Sequence, residues 1–137
     1  MYTVVDLFAG CGGGSMGFWV AGFKPVAAVE IGSMAAAAYE ANLGLWPIVR
    51  DIRDVSLDDL RAAGVVPGEL TLLFGCPPCQ SFTVLRRGQD ADAEDLRRNE
   101  LIYEYLRMVR ELRPRHIAFE NVPGLVGSLG ALFPDLL

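Results

Sequence analysis

Five short apolar runs alternate with segments of helical period, and that alternation confines the chain to one class of fold. The runs are YTVVDLF (2–8), PVAAVEI (25–31), WPIVRDI (46–52), ELTLLFG (69–75) and RHIAFENV (115–122). Near-continuous apolar, β-branched character fits strands covered on both faces. A glycine loop, AGCGGGS (9–15), follows the first run, and a helix over 16–23 stops near Gly22. A second helix spans 33–44, with Ser33 as N-cap and Gly44 as C-cap, and a third spans 56–64, again with a serine cap and a terminal glycine. The longest helical segment covers 93–114 and sets Leu101, Tyr105, Met108 and Leu112 on one stripe. Strands and helices in alternation predict an α/β domain with a mostly parallel sheet and helices on both faces.

A length of 137 residues suits one domain with a modest core. No apolar run reaches the roughly 18 residues of a membrane helix. The opening MYTVVDLF lacks a basic region of the kind that starts a signal peptide, so a cytoplasmic chain with reduced thiols is expected. Three cysteines leave one unpaired, which argues against a disulfide scaffold. The net charge of −5 does not mark a nucleic-acid binder, because phosphate contacts want clustered Lys and Arg. The long polar loop from Cys76 to about Asp92 is of a length that usually serves function. The tail PGLVGSLGALFPDLL (123–137) is apolar and reads as the start of something that continues or meets a partner.

Gly12-Gly13-Gly14-Ser15-Met16-Gly17 fits G-x-G-x-x-G between a strand and a helix. Small residues there let the backbone approach a ligand, and the helix N-terminus favours a polar or anionic group. A plain tight turn would look the same. Glu30 ends the second strand, where doubly wound folds place an acid for ribose hydroxyls, and Asp51 ends the third. Either could equally be a solvated strand-end acid. Gly10, Glu30 and Asp51 would share the carboxyl edge of the sheet, where such folds bind ligands.

FGCPPCQSF (74–82) carries two cysteines around two prolines. A zinc site needs four ligands, and only Cys11 and His116 remain to join Cys76 and Cys79. A redox Cys-x-x-Cys normally opens a helix, whereas here prolines fill the middle and a polar loop follows. The remaining reading is a single nucleophile, Cys79, on a rigid turn, with Glu120 at the end of the fifth strand handling protons. A structural cysteine and a capping glutamate are the plain alternatives.

Taken together, DLFAGCGGGSMGF, GCPPCQSF and ENVPGL resemble, in order and approximate spacing, three motifs of the S-adenosylmethionine-dependent cytosine-5 methyltransferases. The resemblance covers the N-terminal catalytic portion of that family and implies a Rossmann-like class I methyltransferase fold, sheet order 3-2-1-4-5, incomplete at the C-terminus. It implies that Phe8, Ala9, Gly10, Cys11, Gly12 and Gly13 hold the methionine part of the cofactor. Glu30 would bind the ribose hydroxyls, Asp51 the adenine amino group, and Ile52 would cover the ring. Ile31 stands where the family often has an aromatic residue, so its contact would be apolar only. Pro78 and Leu101 would line the cofactor side.

The resemblance also implies the chemistry. Cys79 attacks carbon 6 of cytosine, carbon 5 takes the methyl group, and loss of the carbon 5 proton expels the thiolate. Glu120 donates to ring nitrogen 3 and draws charge from carbon 6. Gln80, Ser81, Asn121 and Val122 fall on the substrate side, Asn121 holding the glutamate-bearing turn. Arg86 and Arg87, in the loop that would close over the base, would meet phosphate or simply be solvated. In double-stranded DNA the cytosine must leave the stack. No metal is called for. S-adenosylhomocysteine would be the product.

The family's later arginine-rich motif, target-recognition domain and returning C-terminal segment have no counterpart in residues 1–137. Residues 1–137 would thus be one cofactor-binding catalytic domain, truncated from a longer enzyme or completed by a second chain, and inactive alone. The base-reading basic surface would lie on the missing piece. Rival readings are a nicotinamide-dependent oxidoreductase, a non-catalytic S-adenosylmethionine-binding module, and a transfer-RNA cytosine-5 methyltransferase.

Overall fold

The structure is a computed structural model that describes residues 1–78 and 100–121. Strands β1 (Tyr2–Leu7), β2 (Phe23–Glu30), β3 (Ile48–Val49), β4 (Leu72–Gly75) and β5 (His116–Phe119) form one sheet. Every pairing is parallel, as the alternating pattern predicts, and the order β3-β2-β1-β4-β5 is the one the family resemblance implies. Helices α1 (Gly13–Val20), α2 (Ser33–Leu43), α3 (Leu57–Ala62) and α4 (Leu101–Leu112) connect them, with a 3-10 turn at Ile52–Asp54. Parallel pairing aligns all five strand C-termini on one edge of the sheet.

Pro25 lies inside β2 without breaking it. The register with β1 slips between Val4 and Val5, and β3 pairs with β2 only at Val29 and Glu30. A residue with no N–H is tolerated beside such an irregularity and where no neighbouring strand asks for a donor.

One face of the sheet carries the larger core. Val5, Leu7, Val29 and Leu73 pack there against Ile52, Val55, Leu60 and the stripe Leu101, Tyr105, Met108 and Leu112 of α4. The stripe is the expected one, and Ile102 and Leu106 widen it. Each fully buried apolar side chain contributes about 1.5–3 kcal/mol. On the other face Ala9, Ala28 and Tyr39 pack with Leu43 and Leu45. β5 lies at the sheet edge among the described residues, with His116 and Ile117 exposed.

Several boundaries differ from those read in the sequence. α1 starts at Gly13 rather than Met16, because Gly12 adopts φ 91° and caps it directly after the loop. β2 starts at Phe23, two residues ahead of the expected Pro25. Ser33 does not cap α2. The cap is Gly32, extended at φ −86°, and the structure gives it no side-chain cap bond. The third strand shrinks to two residues, because Asp51 turns the chain into the 3-10 segment by accepting from the Arg53 N–H. The fourth begins at Leu72 rather than Glu69. The fifth stops at Phe119, so Glu120 follows the strand instead of ending it. Residues 93–99 of the expected long helix lie outside the described residues. Ser56 does cap α3, with a full capping box to Asp59.

Candidate active site

The β1–α1 loop is built around unusual backbone. Phe8 holds φ 64°, Gly10 φ 55° and Gly12 φ 91°. A left-handed bulky residue such as Phe8 is strained by roughly 1–3 kcal/mol and survives only where its surroundings impose it. A side chain at Gly12 would meet Leu43 at 2.8 Å and Tyr39 at 2.9 Å, so this position needs glycine twice over. A Cβ at Gly14 would clash with the ring of Phe74, so this glycine lets α1 press on β4. Gly17 faces open space, and the third glycine of the motif has no steric reason.

Glu30 ties two loops together. Its Oε2 accepts from the Gly10 N–H at 2.7 Å and its Oε1 from the Gly32 N–H at 2.7 Å. Each carboxylate oxygen has a second lone pair, so the bracing leaves room for a ligand's donors. Asp51 uses Oδ1 to cap the 3-10 turn at 3.0 Å and Oδ2 to pair with the Arg53 guanidinium at 2.9 Å.

A cleft of about 610 Å3 opens at the carboxyl edge of the sheet. Phe8, Glu30, Ile31, Asp51, Ile52, Pro78 and Leu101, all named from the sequence as cofactor-side residues, line it. Ala9, Gly10, Cys11, Gly12 and Gly13 form the adjoining loop without lining the cleft. Arg50, Arg53, Val29 and Cys76 also line it, and nothing in the strand pattern marked them. The volume suits a nucleoside-sized ligand. Apolar Ile31, Ile52 and Leu101 beside two carboxylates offer a flat ring cover and hydroxyl or amino donors acceptors. These acceptors and this apolar cover fit the adenosine part of a nucleoside cofactor such as S-adenosylmethionine.

β4 and β5 are neighbours, Gly75 pairing with Phe119, so the Pro-Pro turn and Glu120 leave the sheet side by side. The Glu120 N–H donates to the Gly75 carbonyl at 3.1 Å, and the Asn121 amide donates to the Pro77 carbonyl at 3.0 Å. The Cys76 thiol donates to Glu120 Oε2 at 2.6 Å. Burial, and then Glu120 itself, push that thiol up to about 12. Cys76 is therefore a protonated donor near neutral pH and a poor nucleophile. The expected nucleophile Cys79, and Gln80, Ser81, Arg86, Arg87 and Val122, lie outside the described residues.

A buried polar chain sits below the loop and was not legible as such. Tyr39 donates to Ser15 at 2.8 Å, and Ser15 donates to Asp6 Oδ2 at 2.6 Å. Asp6 Oδ1 is buried without a partner among the described residues. Burial pushes the Asp6 carboxyl up to about 6, against the lowering effect of Ser15. The aspartate sits within an apolar strand, and only the fold shows that α1 and α2 converge on it.

The family model for C-5 cytosine-specific DNA methylases matches residues 2–134. The chain belongs to this family. It is 42% identical over 123 residues to a type II methyltransferase, M.XorII, of Xanthomonas oryzae, covering 88% of this chain and 28% of that protein. It is 36% identical over 125 residues to the type II methyltransferase M.AquIA of Picosynechococcus, covering 90% of this chain and 49% of that one. This methylase chain thus spans half or less of these relatives' length. A crystal structure from E. coli, described as a DNA modification methyltransferase encoded within a prophage, superposes with a TM-score of 0.78 at 28% identity, over 98% of this chain and 36% of the other. The methyltransferase Dnmt2 of S. pombe shares the fold at TM-score 0.69 and 22% identity, over 98% of this chain and 38% of the other. Among the described residues, no helix is long and apolar enough to cross a membrane.

Proposed function

We propose that this chain is the cofactor-binding and nucleophile-bearing part of an enzyme that methylates carbon 5 of cytosine in DNA. The observation that carries the reading is the convergence of Glu120 and the Pro-Pro turn beside a nucleoside-sized cleft, on the edge that also presents Glu30 and Asp51. When bound, S-adenosylmethionine supplies an electrophilic methyl group. Glu30 holds the ribose hydroxyls, Asp51 takes the adenine amino group, and Ile31, Ile52 and Leu101 exclude water from the ring. Phe8, Ala9, Gly10, Cys11, Gly12 and Gly13 seat the methionine end, and Pro78 closes the side facing the base.

Cys79 attacks carbon 6 of a cytosine turned out of the duplex, forming a sulfur–carbon bond. Glu120 donates a proton to nitrogen 3 as that bond forms. After carbon 5 is methylated, a base removes its proton, the electron pair forms the carbon 5–carbon 6 double bond, the thiolate leaves, and nitrogen 3 returns its proton to Glu120. Asn121 keeps the Pro77–Pro78 turn beside Glu120, supported by its bond to Pro77. Gln80, Ser81, Val122, Arg86 and Arg87 serve the DNA side.

Residues 1–137 form a single catalytic domain that needs further sequence, from the same or a second chain, to read DNA. A net charge of −5 and exposed Ile117 on the edge strand support that need. Methyl transfer from labelled S-adenosylmethionine to cytosine-containing duplex DNA tests the reading, with a complementing C-terminal partner and a Cys79→Ala control. Transfer that requires the partner and vanishes in the control is expected. Transfer that survives Cys79→Ala would overturn it.

A further inference from the structure

Arg107 lies on α4, outside every motif, and its side chain reaches from the helix to the back of the cleft wall. Nη2 donates to the Ile52 carbonyl at 2.9 Å and to the Val55 carbonyl at 3.1 Å. Nε donates to Glu104 at 2.7 Å and Nη1 to Glu111 at 3.3 Å, so two acids of the same helix hold the guanidinium in place. The fork is planar and rigid, and its orientation is fixed by the carboxylates. The carbonyls it takes belong to the first residue and the C-cap of the 3-10 segment, which presents Ile52 to the cleft and has Asp51 as its N-cap. That segment is three residues long and has one N–H to carbonyl bond at 2.9 Å and another at 3.2 Å. Asp51 caps the turn from within, Arg50 donates to the Asp54 carbonyl at 3.4 Å, and Arg107 adds two bonds from a distant helix. The first residue of α4, Leu101, lines the same cleft.

From this geometry we infer that Arg107 is a positioning residue for the adenosine end of the cofactor: it fixes the Asp51–Ile52 wall to the helix that carries Leu101. The inference rests on the proposed cofactor reading of the cleft. Arg107 touches no ligand and acts through the turn.

Two measurements on the full chain test it. The first is the dissociation constant of S-adenosylhomocysteine by calorimetry, well below each variant's melting temperature, for the parent, Arg107→Ala, Arg107→Lys and Thr71→Val. Thr71 exchanges hydrogen bonds with Thr3 at the opposite edge of the sheet, so its loss lowers stability away from the cleft. Arg107→Ala is expected to weaken binding about tenfold or more, consistent with losing a wall contact. Arg107→Lys should fall between, and Thr71→Val should stay within twofold. The second is amide hydrogen exchange at Asp54 and Val55, whose N–H groups close the turn. Their exchange should rise at least about tenfold in Arg107→Ala beyond any change at Val5 and Leu7 of β1. Unchanged affinity in Arg107→Ala, equal weakening in Thr71→Val, or unchanged exchange at 54 and 55 would each overturn the inference. If the parent binds no S-adenosylhomocysteine, the cofactor reading itself fails, and the exchange rates still decide whether Arg107 braces the turn.

Discussion

The Cys76 sulfur lies 2.6 Å from Glu120 Oε2, across the pair of strands that carries the two most diagnostic motifs. Cys76 is thus a proton donor to the acid. Iodoacetamide kinetics read by peptide mass spectrometry check this. Cys76 and Cys11 are both exposed, and at pH 8 Cys76 should react at least about tenfold more slowly than Cys11, because its raised pKa leaves it little thiolate. Glu120→Gln removes the nearby negative charge and should speed labelling of Cys76. Equal rates at Cys76 and Cys11 in the parent would contradict the pairing.

Asp6 sets a pH dependence with a definite sign. Its folded pKa of about 6 lies above the ordinary 3.8, so folding favours the protonated carboxyl. That contribution is present below about 3.8 and is lost as pH rises through 6, leaving a penalty of about 3 kcal/mol above it. Asp6→Asn keeps an acceptor for Ser15 and carries no charge. Urea unfolding at several pH values should show the variant gaining on the parent between pH 4 and 7. A constant difference would sink this explanation.

The glycine loop offers a paired test. Gly14→Ala should destabilise by about 1–3 kcal/mol, because its methyl group meets the Phe74 ring, itself packed on Phe18. Gly17→Ala, in open space on the same helix, should stabilise by about 0.5–1 kcal/mol. Thermal melts of both separate the two glycines, and equal effects would contradict the packing.

The two serines expected to cap helices make a similar contrast. Ser56→Ala should cost about 1 kcal/mol, since Ser56 accepts from the Asp59 N–H at 3.2 Å and Asp59 returns the bond at 2.8 Å. Ser33→Ala should stay within about 0.5 kcal/mol, because Ser33 lies inside α2. Chemical denaturation of the two variants compares them directly.

These contrasts mark what the chain reveals before it folds. The parallel sheet was legible because buried strands read as continuous apolar runs alternating with helices, the α4 stripe because a core-facing helix imposes a period, and the sheet order only through the family resemblance. Glu30 and Asp51 were legible as acids at strand ends on one edge, whereas Ile52, Pro78 and Leu101 came forward only through the family resemblance. The cap at Ser56 followed from a local pattern. The cap at Ser33 failed because the choice between adjacent residues depends on where Glu30 turns the chain. The brevity of β3, the Cys76–Glu120 contact, the Asp6 chain and the reach of Arg107 depend on segments distant in sequence, and no local pattern carries them.

The most direct measurement of the central claim is calorimetric binding of S-adenosylhomocysteine to the parent chain and to Glu30→Ala, with NAD as the competing nucleotide. Glu30 is the acid assigned to the ribose and also braces Gly10 and Gly32. One S-adenosylhomocysteine per chain, at least about tenfold weaker binding in the folded variant, and no competition by NAD are the expected results. Binding of NAD without binding of S-adenosylhomocysteine would contradict a methyltransferase cofactor site.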